Sequence, residues 1–185
     1  MRGYFGIGLE NISKQYNVGN IFRTAHAFGA SFVFTIAASY NREIGKGADT
    51  SDTPGQIPFF DFPSLESVIL PIDSKVVGVE IDESAIELPS FHHPANAVYI
   101  FGPEKGNLSN KAKEKCDYLV KIPSKFCLNI GIAGVVVMYD RLITRKRFPS
   151  RPLKPGGPVF NLVDNSSIED KNMNKFIATP PLFPT

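Results

Sequence analysis

The stretch AVYIFGPEKGNLS, residues 97–109, joins a run of β-branched and aromatic residues to a turn that contains two glycines. The first five residues have the composition of a buried strand. Gly102 and Gly106 let the main chain turn sharply and approach a ligand closely, because neither has a Cβ atom. Glu104 lies between them at the carboxyl end of the strand, where α/β proteins usually bind ligands. The stretch therefore predicts an α/β fold with a binding site at this strand end.

Strand-like runs alternate with helical patterns on both sides of this stretch. The strand-like runs are residues 4–9, 31–37, 75–81, 97–101 and 118–122, and the helical patterns are residues 18–28, 63–70, 110–115 and 130–144. Gly29 is suitably placed to cap the first helix at its C-terminus. Strands that alternate with helices predict a parallel sheet flanked by helices. No Gly-x-Gly-x-x-Gly motif follows the first strand, which argues against an ordinary dinucleotide-binding site there.

Glycines and isolated polar side chains also concentrate in two other segments, NVGNIFRTAHAFGA (residues 17–30) and CLNIGIAG (residues 127–134). In the first segment, a helix that starts near Asn17 places Asn17, Asn20 and Arg23 on one polar face. Asn17 is then suited to cap this helix, and Asn129 to cap the helix that follows the second segment. The small residues after Asn129 leave room either for a cofactor or for a partner helix.

Together the three segments resemble the motifs of the SpoU (TrmH-like) branch of the SPOUT RNA methyltransferases. The family motifs read Asn-x-Gly-x-x-x-Arg-x-Ala, Gly-x-Glu-x-x-Gly-Leu-Ser and Ser-Leu-Asn-x-x-x-Ala. The residues that match them are Asn17, Gly19, Arg23 and Ala25, then Gly102, Glu104, Gly106, Leu108 and Ser109, then Leu128, Asn129 and Ala133. The chain departs from the motifs where Asn107 is inserted before Leu108 and where Cys127 replaces serine. The resemblance covers most of residues 3–142.

The resemblance implies the SPOUT fold, in which the C-terminal part of the chain is threaded through a loop as a deep trefoil knot. It also implies a homodimer that transfers a methyl group from S-adenosylmethionine to a ribose 2′-hydroxyl of tRNA or rRNA. Two alternatives stay open: a SPOUT enzyme that methylates a base atom, and a catalytically weak RNA-binding or assembly protein that kept the fold. Cys127, whose thiol is a weaker hydrogen-bonding group than a hydroxyl, motivates the second alternative.

The same resemblance assigns roles to individual residues. The catalytic group is Arg23, Asn17, Glu104 and Asn129. We expect Arg23 to anchor a phosphate and to stabilise the developing oxyanion, because a guanidinium is a poor base. Glu104 is expected to orient Arg23 or the RNA, and Asn129 to face the reacting centre. The residues expected to contact the cofactor are Phe101, Gly102, Glu104, Gly106, Ile122, Cys127, Leu128 and Ala133, with main-chain groups around Ile122, Leu128 and Ala133 at the adenine.

The charge distribution bears on an RNA partner. The net charge is only +2 and the isoelectric point about 8.5, so RNA binding requires locally clustered charge. Basic residues cluster between Arg141 and Lys154, and a polar segment at residues 41–56 follows the second strand. The expected RNA-binding residues are Arg23, Arg42, Lys46, Arg141, Arg145 and Arg147. Alternatively, the cluster only solvates a helix end and the polar segment is an ordinary connector.

The remaining features bound the class of protein. Two cysteines offer no disulfide framework and the N-terminus lacks the apolar core of a signal peptide, which predicts a cytoplasmic protein. No apolar run is long enough for a membrane span. The histidines lack metal-ligand spacing, and His92-His93-Pro94 is interpreted as an exposed turn, so we predict no metal. We expect one domain at residues 1–147 and a proline-rich tail at 148–185, extended or partly disordered. Cys127 either lowers activity or packs as a small buried hydrophobe.

Overall fold

A single parallel sheet organises the chain. The computed structural model describes residues 3–39 and 56–146, together with residues 148 and 155. The strands in these ranges are β1 (Phe5–Glu10), β2 (Phe32–Ile36), β3 (Phe59–Phe62), β4 (Lys75–Val79), β5 (Ile86–Glu87), β6 (Ala97–Phe101) and β7 (Tyr118–Lys121). The helices are α1 (Gln15–Phe28), α2 (Asn110–Glu114) and α3 (Ile130–Arg145). The predicted parallel sheet flanked by helices is confirmed, and all five predicted strands are present.

The strand order is β3-β2-β1-β6-β4-β7-β5, and every neighbouring pair is parallel. The central strands β1 and β6 are buried along their whole length, as expected for a parallel sheet covered on both faces. Phe101 of β6 stands beside Leu9 of β1 and beside Val79 of β4. The carboxyl ends of these three strands therefore meet at one edge of the sheet.

Helices α1 and α3 pack directly against each other. A Cβ atom at Gly134 would lie 2.4 Å from Cδ1 of Ile21, and one at Gly131 would lie 3.3 Å from Cβ of Asn20. Both glycines thus serve close helix packing, because a larger residue at Gly134 would force the Ile21 side chain to move and one at Gly131 would crowd Asn20. The sequence suggests that the small residues after Asn129 make room either for a cofactor or for another helix. Gly131 and Gly134 make room for α1.

The predicted ends of the helices are largely right. Gly29 has φ of 76° and its N–H donates to the carbonyl oxygens of Ala25 and His26, which confirms it as the C-terminal cap of α1. Asn129 accepts from the N–H of Gly131 and caps α3. The start of α1 is different, since Lys14 holds the N-cap position and Asn17 lies inside the helix. The prediction that Asn17 caps α1 is therefore wrong.

The predicted helix at residues 63–70 is wrong, because the chain forms only a short 3-10 turn, Leu65–Ser67. Ser64 and Ser67 exchange side-chain to backbone bonds in a capping box, which fixes one turn without extending it. β-branched residues at Val68 and Ile69 follow, and they favour extended backbone over helix. Strands β3 and β5 were not predicted.

A buried polar network joins α3 to the amino ends of the strands. Arg141 is 6% exposed and donates to the carbonyl oxygens of Tyr4, Pro94 and Ala95 and to the hydroxyl of Tyr99. Its guanidinium also lies 5.1 Å from the centre of the Phe5 ring. The Arg141 guanidinium points into the protein, where it donates to main-chain carbonyl oxygens and to a tyrosine. The prediction that Arg141 binds RNA is therefore wrong.

His93 belongs to the same network. Its side chain is fully buried, with Nδ1 2.5 Å from the Tyr99 hydroxyl and Nε2 2.9 Å from Oδ2 of Asp140. Burial lowers the pKa of His93, and the neighbouring Asp140 carboxylate partly opposes that shift. Burial also raises the pKa of Tyr99 to about 12. The interpretation of His92-His93-Pro94 as an exposed turn is therefore wrong for His93.

Several sequence-based expectations fall outside the part of the chain that the structure describes. These are the predicted loop at residues 41–55 with Arg42 and Lys46, the side chain of Arg147, and the tail apart from residues 148 and 155. The division into residues 1–147 and 148–185 and the trefoil knot stay predictions. Within the described residues, no helix is long and apolar enough to span a bilayer. The same residues contain no group of three or more acidic, histidine or cysteine side chains that could bind a metal.

Candidate active site

A cleft of about 400 Å³ opens at the carboxyl ends of β4, β6 and β7. This volume lies within the range of ligand pockets in proteins. All eight residues expected to contact a cofactor line the cleft, namely Phe101, Gly102, Glu104, Gly106, Ile122, Cys127, Leu128 and Ala133. The catalytic candidates Glu104 and Asn129 also line it, whereas Asn17 and Arg23 do not.

The cleft is lined by both apolar and polar residues. Val79, Phe101, Ile122 and Ala133 supply apolar side chains from four different elements or their ends. Such a surface suits a flat aromatic group, whose burial is favourable in proportion to the apolar area removed from water. The same lining includes the turn after β6 and two carboxylates, Glu80 and Glu104. The arrangement suits a ligand with an aromatic part and several polar groups.

The turn after β6 lines the cleft, and its two glycines are required for different reasons. A Cβ atom at Gly102 would lie 2.7 Å from the main-chain nitrogen of Leu108, so the turn folds back too closely for any side chain. Gly106 has φ of 103°, a conformation that other residues rarely adopt. The glycines therefore shape the turn itself, whether or not a ligand is bound.

Two carboxylates from neighbouring strand ends hold this turn in place. Glu80 accepts from the N–H of Leu108 at 2.5 Å, and the buried Glu10 accepts from the N–H and the hydroxyl of Ser109. Ser109 in turn caps α2 by accepting from the N–H of Ala112. Sequence reasoning missed Glu10 and Glu80, although both are acidic residues at the end of a strand.

Glu104 fixes the start of α1. One oxygen accepts from the N–H and the hydroxyl of Ser13, at 3.2 and 3.1 Å, and the other accepts from the N–H of Lys14 and Nδ2 of Asn17, at 2.8 and 3.0 Å. Burial alone would raise the pKa of Glu104, but these hydrogen bonds outweigh it and lower the pKa. Within one chain, Glu104 thus orients the start of α1 and makes no hydrogen bond to Arg23, whereas its expected alternative role of orienting the RNA stays a prediction.

A chain of side-chain hydrogen bonds connects the three motifs. Nδ2 of Asn129 donates to Oδ1 of Asn17 at 3.1 Å, and Nδ2 of Asn17 donates to Oε1 of Glu104. Asn17 is only 4% exposed, so both ends of its amide are used inside the protein. Asn17 therefore positions Asn129 and Glu104 relative to each other from behind the cleft wall.

Arg23 lies apart from this group. It is exposed on α1, and no hydrogen bond or ion pair to another described residue engages its guanidinium. Arg145, another expected RNA-binding residue, is exposed in the last turn of α3. Cys127 is exposed at the cleft, so the alternative that it packs as a buried hydrophobe is wrong. A single chain thus presents a complete cleft but leaves its expected catalytic arginine outside.

With this geometry established, comparison with known proteins identifies the class. The SpoU rRNA methylase family matches residues 4–139, and the chain belongs to this family. An uncharacterized tRNA/rRNA methyltransferase of Archaeoglobus fulgidus is 30% identical over 154 residues, which cover 79% of this chain and 66% of that protein. The 23S rRNA (guanosine-2′-O-)-methyltransferase RlmB of Acinetobacter baylyi is 23% identical over 148 residues, covering 72% and 57%. The chain thus spans two thirds or less of the length of these relatives.

The fold also matches that of a solved SpoU methyltransferase. The crystal structure of the SpoU methyltransferase AviRb from Streptomyces viridochromogenes in complex with AdoMet superposes with a TM-score of 0.70. The match has 22% sequence identity and covers 78% of this chain and 59% of AviRb. The parallel sheet described above is therefore the fold of SpoU methyltransferases, as the three motifs implied.

Proposed function

We propose that this protein transfers a methyl group from S-adenosylmethionine to a ribose 2′-hydroxyl of RNA, either tRNA or rRNA. The observation that supports this most is the hydrogen-bonded chain Asn129–Asn17–Glu104, which joins one residue of each family motif at a single cleft. The name of the relative RlmB specifies methylation of a guanosine 2′-oxygen in rRNA. We also propose a cytoplasmic location. Both cysteines are free thiols, as is usual in a reducing compartment.

The cleft suits the cofactor that this function needs. The apolar side chains of Phe101, Ile122 and Ala133 are suited to the adenine, and the turn after β6 offers main-chain groups to the polar part. When bound, S-adenosylmethionine would supply an electrophilic methyl group, which would pass to the ribose oxygen while the carbon–sulfur electron pair stays on sulfur and the hydroxyl proton passes to solvent. The hydrogen bond from Asn129 to Asn17 fixes the Asn129 side chain, which supports a role for Asn129 in aligning the reacting groups.

The direct test is methylation of RNA from cells that lack this protein, followed by analysis of the nucleosides. The expected product is a 2′-O-methylated nucleoside. A base-methylated nucleoside would identify the alternative SPOUT activity on a base atom. Binding of S-adenosylhomocysteine without methylation of any RNA pool would support the catalytically weak RNA-binding protein, the alternative that the exposed Cys127 motivates.

Substitution of Ala133 by leucine tests the cofactor cleft. Ala133 lines the cleft from α3, so the added bulk should occupy the space of the adenine and weaken binding of S-adenosylhomocysteine at least tenfold. Isothermal titration calorimetry measures this affinity. Gly102 is a poorer choice, because a side chain there collides with the main chain of Leu108 and would disturb the turn itself.

The matched control for this substitution is Ala27→Leu, which adds the same atoms at an exposed position of α1 away from the cleft. It should leave affinity for S-adenosylhomocysteine within about twofold, as surface substitutions usually change free energies little. If Ala133→Leu binds as tightly as the control while both variants remain folded, the cofactor does not lie in this cleft.

A homodimer is the second part of the proposal. Ile132, Val135 and Tyr139 recur at helical spacing on α3 and are 55%, 37% and 49% exposed, so they form an apolar stripe on the protein surface. A second copy of the chain would remove this stripe from water. Arg23 lies outside the cleft of its own chain. In a dimer, Arg23 would act at the cleft of the partner protomer.

Replacing Ile132 with arginine should convert the dimer to a monomer, because the charge would have to be buried without a partner. Multi-angle light scattering at micromolar concentration measures the mass. The control is Ile69→Arg, which introduces the same charge at another exposed isoleucine far from α3 in sequence. A monomeric mass for the unchanged protein would contradict the proposed dimer.

A further inference from the structure

The two carboxylates in the cleft differ in how much of their hydrogen-bonding capacity is already used. A carboxylate offers about four acceptor positions, two on each oxygen. Glu104 receives four donors from Ser13, Lys14 and Asn17, so its capacity is full. Glu80 receives only two, the N–H of Ile81 on Oε1 at 2.8 Å and the N–H of Leu108 on Oε2 at 2.5 Å. Glu80 is therefore the carboxylate in the cleft with acceptor positions left for a ligand.

The position of Glu80 favours a particular kind of ligand group. Glu80 directly follows β4, whose last residue Val79 stands beside Phe101 in the sheet, and all three residues line the cleft. Main-chain N–H groups fix both oxygens, and no ion pair to another described residue engages them, although the charge of Lys113, which pairs with Asp82, lies near enough to interact with Glu80. A fixed carboxylate with one acceptor position open on each oxygen matches two adjacent hydroxyl donors. Acidic residues at strand ends bind ribose hydroxyls in other α/β folds.

We propose that Glu80 binds the vicinal hydroxyls of the cofactor ribose and thereby selects a ribonucleoside in the cleft. The inference rests on the proposed function, since it takes S-adenosylmethionine as the ligand. A site built to hydrogen-bond a hydroxyl rejects an analogue that lacks it, because the polar group of the protein then loses its partner. Glu80 is thus a specificity-determining residue that lies outside all three family motifs.

The experiment compares ligands and variants by isothermal titration calorimetry. S-adenosylhomocysteine and its 2′-deoxy and 3′-deoxy analogues are titrated into the unchanged protein and into Glu80→Gln. The unchanged protein should bind each deoxy analogue at least tenfold more weakly than S-adenosylhomocysteine. Glu80→Gln should bind S-adenosylhomocysteine about tenfold more weakly and discriminate against the analogues less than about threefold. Discrimination that is undiminished in Glu80→Gln would overturn the proposal.

Two controls make the result specific. Glu83→Gln makes the same chemical change at an exposed residue that does not line the cleft, and it should keep the full discrimination. 5′-Methylthioadenosine keeps both ribose hydroxyls but lacks the amino acid part, so Glu80→Gln should weaken its binding by the same factor as that of S-adenosylhomocysteine. If only S-adenosylhomocysteine is weakened, Glu80 binds the amino group and the proposal is wrong.

The failure of the proposed function has a different signature, namely no binding of S-adenosylhomocysteine by the unchanged protein. Since Glu80 also holds Leu108, thermal unfolding of each variant is measured alongside. If glutamine loosens the turn, Glu80→Asp serves as the second variant. It keeps the charge but withdraws the carboxylate by one methylene group, and it too should lose the discrimination between the ribose and deoxyribose ligands.

Discussion

Replacing Arg23 with alanine should slow methyl transfer to RNA by about 100-fold or more while leaving the fold and the cofactor affinity unchanged. Arg23 is exposed, engages no other described residue through a hydrogen bond or ion pair, and does not line the cleft, so its removal costs no packing. Its expected task is to anchor a phosphate of the RNA and to stabilise negative charge that develops on the ribose oxygen. Such a preorganised cation acts mainly in the transition state, and its loss therefore lowers kcat.

The measurement is methyl incorporation into RNA from cells that lack the protein, with thermal unfolding and S-adenosylhomocysteine titration on the same samples. Arg23→Lys should restore only part of the rate, because lysine keeps the charge but lacks the planar fork of donors. His26→Ala removes another exposed polar side chain three residues further along α1 and should turn over like the unchanged protein. Wild-type-like turnover in Arg23→Ala would remove Arg23 from the mechanism.

Mixed dimers decide which cleft Arg23 serves. Protomers with Arg23→Ala are combined with protomers with Asn129→Ala, each inactive as its own homodimer. If Arg23 acts in the partner's cleft, every mixed dimer has one intact site, and a random mixture should recover about a quarter of full activity. If Arg23 acts in its own cleft, both sites of a mixed dimer carry one defect and the mixture stays inactive. The first result is expected, since Arg23 does not line the cleft of its own chain.

Each strand that the sequence predicted contains at least one fully buried residue within an apolar run. β6 is apolar in every position and buried in every position, so its composition alone identified it. β5 contains two exposed residues, Ile86 and Glu87, and offers no pattern to detect. β3, with sequence FFDF, could have been found from its aromatic run. Prolines at both ends, Pro58 and Pro63, made that segment resemble a connection between elements.

Residues that line the cleft could be predicted because most of them belong to short local motifs near the ends of strands. In a parallel sheet the carboxyl ends of neighbouring strands lie at one edge, so motifs distant in sequence converge there. The partners of those motifs could not be predicted in the same way. Glu10 reaches Ser109 only because β1 lies beside β6, an arrangement of strands far apart in the chain that no local pattern indicates.

The position of Arg141 illustrates the same limit for charge. In the sequence it begins a basic cluster, which is typical of a surface. Its partners Tyr4, Pro94 and Ala95 are more than 40 residues away in the chain, and only the folded sheet brings their carbonyl oxygens together around one guanidinium. Five donors in a planar fork make arginine able to satisfy several acceptors at once, so a residue predicted to bind RNA serves to hold α3 on the sheet.

Replacing Arg141 with methionine should therefore destabilise the protein by about 3 kcal/mol or more, because the buried guanidinium makes part-buried hydrogen bonds to three carbonyl oxygens and a buried one to the Tyr99 hydroxyl, and methionine makes none of them. Methionine keeps much of the aliphatic bulk of the side chain, so the loss reports mainly on hydrogen bonds and charge. Urea unfolding followed by circular dichroism measures the free energy of unfolding. A loss of this size is a large part of the stability of an ordinary domain.

Arg145→Met is the matched control, since Arg145 is the next arginine on the same helix, one turn further on, and is exposed. It should change the free energy of unfolding by less than about 0.5 kcal/mol, as surface substitutions usually do. In RNA binding, we expect the substitution of Arg145 to have the larger effect and that of Arg141 the smaller one. If Arg145 contacts phosphate, its replacement should reduce the salt dependence of RNA affinity, whereas folded Arg141→Met should keep the full salt dependence. An unfolding midpoint for Arg141→Met equal to that of Arg145→Met would show that the buried network does not stabilise the fold.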